Sequence, residues 1–228
     1  MFGRQKVAML VAEFLSAATL SMIVLALVAR TNFPFFLAAA SGLTVGLMYY
    51  LFDSLTNPVV TAGMWVMRRV PTLEAVVRVA MQMLGGVAAW RLSEYLINSK
   101  LTNIAGSSFE WRVLLAEALG AFVLGLGIAV AVKRAYTGLR FAATMGMAMA
   151  VGVLVASLAS NGLLNPSVAV GVQSWNWAYA LGPVLGGIIG MSLYGVLFAE
   201  PVVVKAAVSR KTTVRKTTVK KTVARKRK

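Results

Sequence analysis

The dipeptide Asn-Pro occurs twice, at Asn57-Pro58 and Asn165-Pro166, and each copy opens an apolar run of ten residues, PVVTAGMWVM and PSVAVGVQSW. The chemistry open to such a pair is hydrogen bonding and dipole alignment rather than bond making. Asparagine is a favoured N-cap, and proline suits the first helical turn, where the amide hydrogen it lacks would be unpaired anyway. Each run is therefore expected to start a short helix at Pro58 or Pro166. Its electropositive end, equivalent to about +0.5 charge, lies at the asparagine. Two such ends aimed at one point repel cations, while the carboxamides of Asn57 and Asn165 can donate to a neutral oxygen.

Other reactive groups are scarce. The chain has no cysteine and no histidine, which removes thiolate chemistry, disulfides and the commonest metal ligand. Its seven acidic residues do not cluster, so no metal site, cofactor or catalytic centre is expected. Two glutamates nevertheless stand out, Glu13 in VAEFLSAATL and Glu117 in LAEALGAFVL. They lie 104 positions apart and the asparagines 108, which marks two related halves with small insertions between them. An unpaired carboxylate inside a membrane helix costs several kcal/mol. Each glutamate should thus accept hydrogen bonds from backbone donors of a loop carrying Asn-Pro and support it; plain helix packing is the other reading.

The elements that must position these residues follow from composition. Hydrophobic residues make up 59% and charged residues 13%, with a mean hydropathy of +0.77, well outside the range of soluble domains. Six stretches read as membrane spans: about Val7 to Ala29, Phe35 to Phe52, Glu74 to Ile97, Trp111 to Val132, Phe141 to Ser160 and Trp177 to Ala199. Each is near the ~20 residues that cross ~30 Å of hydrocarbon. In the third, Arg78, Arg91 and Glu94 must snorkel or face protein. A ten-residue helix reaches only about half of that thickness, so the Asn-Pro segments are expected to be re-entrant. Three spans per half make the repeat inverted, and the two short helices then dip in from opposite faces and meet in the middle. The fold class is all-α, with repeat halves at about 7–97 and 111–199 in a membrane domain spanning 1–204. Arg4, Lys6, Arg68, Arg69, Lys133, Arg134 and Arg140 fall on alternate connections, which puts both termini in the cytoplasm.

Here the residues resemble those of the aquaporins and aquaglyceroporins, the major intrinsic protein family. Asn57-Pro58-Val59 and Asn165-Pro166-Ser167 are similar to the family's paired Asn-Pro-Ala signatures, with Val and Ser in place of Ala. The two Ala-Glu helices, VAMQMLGGVAAW with Gln82, and WAYALGPVLGGIIG also resemble family patterns. The resemblance covers Val7 to roughly Ala199. It implies a passive channel for water or small neutral solutes such as glycerol, assembled as a homotetramer. It also implies a selectivity filter at Val153, Gly162, Val168 and a fourth position on the second span, Leu37 or Ser41. The departures bear on selectivity: Val168 stands where the family usually carries arginine, Val153 where water-selective members often carry histidine, and Leu55 replaces a loop histidine. Ala169 stands where glycerol facilitators commonly carry aspartate. An apolar filter without its cation leaves ion rejection to the central dipoles and to dehydration.

The last 24 residues, 205–228, carry 11 of the 23 Lys+Arg and no acid. This low-complexity segment is expected to be a disordered cytoplasmic tail lying on anionic lipid, and nucleic acid is not expected as a partner. Two other functions are compatible with the sequence: a membrane anchor with a closed pore, whose tail binds anionic lipid or nucleic acid, and a weakly selective channel that leaks ions.

Overall fold

The computed structural model describes residues 3–28 and 33–198; the basic tail lies outside the described residues. Eight helices follow one another: α1 (Arg4–Val28), α2 (Pro34–Phe52), α3 (Pro58–Val66), α4 (Thr72–Ile97), α5 (Trp111–Lys133), α6 (Gly138–Ala156), α7 (Pro166–Gly171) and α8 (Trp177–Leu197). Six of them are long and apolar enough to cross a bilayer, and α3 and α7 are the two short ones. Among the described residues there is no strand.

The expected spans agree with these helices to within a few residues, except at the end of the fifth. The expected span runs on to Ser160, but α6 stops at Ala156. Ser157 turns its hydroxyl back onto the Val153 carbonyl at 2.7 Å, and Ser160 gives its hydroxyl to Glu117. Side-chain bonds of this kind compete with the helical ladder.

The halves interlock rather than sit side by side. Within each half the first span packs on the third, α1 on α4 and α5 on α8. The short helices cross over: α3 rests on α8 of the second half, α7 on α1 and α4 of the first, and the two touch each other. Close approach depends on absent side chains. Gly42 of α2 and Gly146 of α6 each face the other's carbonyl, where a β-carbon on either would collide with backbone. Gly86 of α4 likewise sits against the Ser167 carbonyl of α7 and lets that helix settle into the first half. Lipid tails offer no hydrophobic gain for helix association, so van der Waals contact of this closeness is what holds the bundle. The outward faces are apolar, with Leu43, Leu73, Tyr95, Leu158 and Val196 among the exposed side chains.

Candidate functional site

Both asparagines cap their short helices as expected. The Asn57 side chain accepts from the Val59 amide at 2.8 Å, and Asn165 accepts from the Ser167 amide at 2.9 Å. With the oxygens held, the NH2 groups point across the junction. Asn57 Nδ2 donates to the Leu164 carbonyl at 2.9 Å, and Asn165 Nδ2 donates to the Thr56 carbonyl at 3.4 Å. The first half thus reads its partner's loop and the reverse. Each NH2 carries two hydrogens, and the junction uses one.

The residues before the asparagines are strained. Thr56 and Leu164 have φ of 62° and 50°, in the left-handed region that a β-branched threonine seldom enters. Two buried glutamates hold them there. Glu117 accepts from the Leu163 and Leu164 amides at 2.9 and 2.6 Å and from the Ser160 hydroxyl at 2.6 Å. Glu13 accepts from the Leu55 and Thr56 amides, both at 2.9 Å, and from the Ser54 hydroxyl at 3.0 Å. Ser54 and Ser160 also take amide hydrogens of their own loops, from Thr56 and Gly162. This pair of serines escaped the sequence reading; a serine a few residues before each Asn-Pro was the available signal.

The two supports differ in their neighbours. Gln82 donates to Glu13 at 2.7 Å while bonding Thr61 of α3, and Arg78 forms an ion pair with Glu13 and a second with Glu74. Glu117 has no cation within ion-pair distance among the described residues. Arg78 was expected to snorkel or face protein, and it faces Glu13.

The unusual third letters of the two motifs have local explanations. Val59 presses its Cγ1 into the space left open by Gly187 of α8. Ser167 donates its hydroxyl to Asn165 Oδ1 at 2.7 Å, a bond alanine could not make.

The short helices are unequal, which corrects the expectation of two ten-residue segments: α3 has nine residues and α7 six. Both end in the same way. Arg69 N bonds Met64 O and Ser174 N bonds Ala169 O, each at 2.8 Å, over a left-handed residue, Arg68 or Gln173. In α7 this stop comes a turn early because Ser174 is engaged elsewhere. Its hydroxyl donates to the Val172 carbonyl at 3.2 Å and accepts from the Ala105 amide at 2.7 Å. Asn176 to Gly106 and Tyr179 to Ala105 complete a latch on the connection 98–110.

Of the filter positions implied by resemblance, Gly162 and Val153 lie against each other. Gly162, at φ 62°, lies against the Val153 carbonyl and Cγ1. Leu37 and Ser41, one turn apart on α2, are both buried, and of the two Leu37 lines a cavity of about 300 Å³ with Ser157, Ser160 and Asn161. Val153 and Val168 are both fully buried. Leu55 and Ala169 are buried as well, and Asp53 is an exposed, left-handed cap of α2.

Comparison with known proteins agrees with the fold. The solved aquaglyceroporin from Plasmodium falciparum matches with a TM-score of 0.67 at 17% identity, over 84% of this chain and 96% of that one. Aquaporin Z of Photorhabdus laumondii is 26% identical over 189 residues, 71% of this chain and 81% of that protein. Aquaporin A of Dictyostelium discoideum is 29% identical over 161 residues, 63% of this chain but only 57% of its relative's length. The family model for major intrinsic protein matches residues 4–194, and with that match the chain belongs to the major intrinsic protein family.

Proposed function

We propose that this chain is a passive channel for water and small neutral solutes such as glycerol, and not an enzyme. The observation that carries the reading is the reciprocal junction, in which two helix starts meet and each asparagine keeps a second amide hydrogen after bonding the opposite loop. A solute oxygen passing Asn57 and Asn165 accepts from both, while the two dipole ends repel cations and protons. Glu13 and Glu117 hold the loops, and Pro58 and Pro166 start the half-helices.

The filter comprises Leu37, Val153, Gly162 and Val168. Leu37 is favoured over Ser41 because it lines the cavity beside Ser157, Ser160 and Asn161. An apolar ring this tight passes a solute only as its valines yield, and lacking a cation it does not favour water over a polyol. The membrane domain is taken as 1–204 with halves at about 7–97 and 111–199, both termini are cytoplasmic by the distribution of Lys and Arg, and the subunits form a homotetramer as in the family. The segment 205–228 lies on anionic headgroups.

Stopped-flow light scattering on proteoliposomes tests the reading. Vesicles containing the protein should shrink faster than lipid alone under an impermeant osmolyte and re-swell faster with glycerol. Rates equal to those of empty vesicles would remove the channel and leave the anchor.

A further inference from the structure

A second site lies away from the junction, on the face where the basic connections emerge. The C-terminal ends of α3, α5 and α8 come together there around a cavity of about 160 Å³, walled by Val66, Met67, Val132 and Met191 and edged by Arg69, Lys133 and Ser192. Of the neighbouring cations, Arg134 bonds the Tyr136 hydroxyl, Arg140 stacks on the same ring, and Arg68 does not line the cavity. Arg69 and Lys133 are different. Among the described residues neither side chain bonds a carbonyl or pairs with a carboxylate. Capping of the three helix ends is the ordinary use for such cations, but a capping ammonium would bond the terminal carbonyls, and Lys133 does not. Instead its chain lies across Gly195, with Nζ 3.8 Å from where a β-carbon there would stand.

We propose that this cavity binds the headgroup of an anionic phospholipid. The phosphodiester sits between the Arg69 guanidinium and the Lys133 ammonium with the Ser192 hydroxyl in reach, and the first methylenes lie against Met191, Val66 and Val132. Charge complementarity selects the occupant: two open cations over an apolar floor at the edge of a bilayer match a group that is anionic at one end and hydrocarbon at the other. The bare Gly195 keeps the floor open.

Native mass spectrometry of the full chain in detergent, titrated with phosphatidylglycerol or phosphatidylcholine, tests this. Every variant keeps the basic tail, so differences belong to the cavity. Wild type should hold one phosphatidylglycerol per subunit more tightly than the rest. The pair Arg69→Ala and Lys133→Ala should weaken that binding roughly ten- to thirty-fold, and Arg140→Ala should leave it unchanged. Gly195→Val fills the cavity with the formal charge unchanged, pressing on the Lys133 stem that lies across Gly195, and should weaken it comparably; it alone decides if the alanine pair fails to fold. Unchanged binding in Gly195→Val, equal binding of phosphatidylcholine, or displacement by millimolar inorganic phosphate would overturn the site.

Discussion

Asn57 donates its side-chain amide to the carbonyl of Leu164 at 2.9 Å, a bond between residues 107 positions apart that closes the middle of the molecule. Asn57→Ala removes this bond and the cap on α3 together. A lost cap costs about 1 kcal/mol and an orphaned buried carbonyl about 1–3 kcal/mol. Lower melting temperature in detergent and a several-fold fall in water permeability are expected. Permeability equal to wild type would show that the carboxamide does not serve the permeant.

The unequal surroundings of Glu13 and Glu117 separate two variants that look alike in the sequence. Glu13→Ala takes from Arg78, which is only 13% exposed, one of its two carboxylate partners and leaves it with Glu74, so the cost falls below the roughly 3–5 kcal/mol of a buried charge left with no partner. Glu117→Ala leaves unpaired amides but, among the described residues, takes a partner from no cation. Thermal denaturation should rank Glu13→Ala as the worse, and adding Arg78→Met should recover part of its loss. Equal damage would mean that the ion pair contributes little.

Selectivity should follow volume and charge at Val168. Val168→Ala opens the tight ring and should raise glycerol permeability relative to water. Val168→Arg restores a donor and a positive charge and should cut glycerol more than water. Stopped-flow ratios unaffected by either substitution would move the filter elsewhere.

Ser174 ties the connection 98–110 to the end of α7. Ser174→Ala should free the Ala105 amide and speed hydrogen exchange across residues 101–106, with little effect on the six spans. Protection that survives the substitution would assign the latch to Asn176 and Tyr179 alone.

Much of this was legible in the residues. Hydropathy and length give the six spans, and the matched spacings of Glu13, Asn57, Glu117 and Asn165 give the repeat, the re-entrant helices and their carboxylate supports. Pairings between halves were not legible. No local pattern says that Arg78 meets Glu13 rather than lipid, because the ion pair depends on how α4 rotates against α1. The length of α7 was hidden for the same reason: the apolar run continues to Trp175, but a serine three residues after Gly171 is claimed by a loop some seventy positions upstream. Val59 and Ser167 read as departures from a motif, and each makes sense only beside a neighbour the sequence does not name, the room over Gly187 and the oxygen of Asn165.

The bond from Asn57 to Leu164 also sets an order of events at the ribosome. When the first three spans have entered the bilayer, the acceptor for Asn57 has yet to be translated. At about 5–20 residues per second, roughly 3–13 s pass between the synthesis of Ile97 and that of Leu164. Throughout that interval the nascent half holds an Asn57 whose Nδ2 has no partner yet and a left-handed Thr56 with only Glu13 and its neighbours to steady them. Supporting Glu13 with Gln82 and Arg78, both supplied by the same half, lets the early-made loop wait in shape; Glu117, synthesised just ahead of its own loop, has a finished template to close upon.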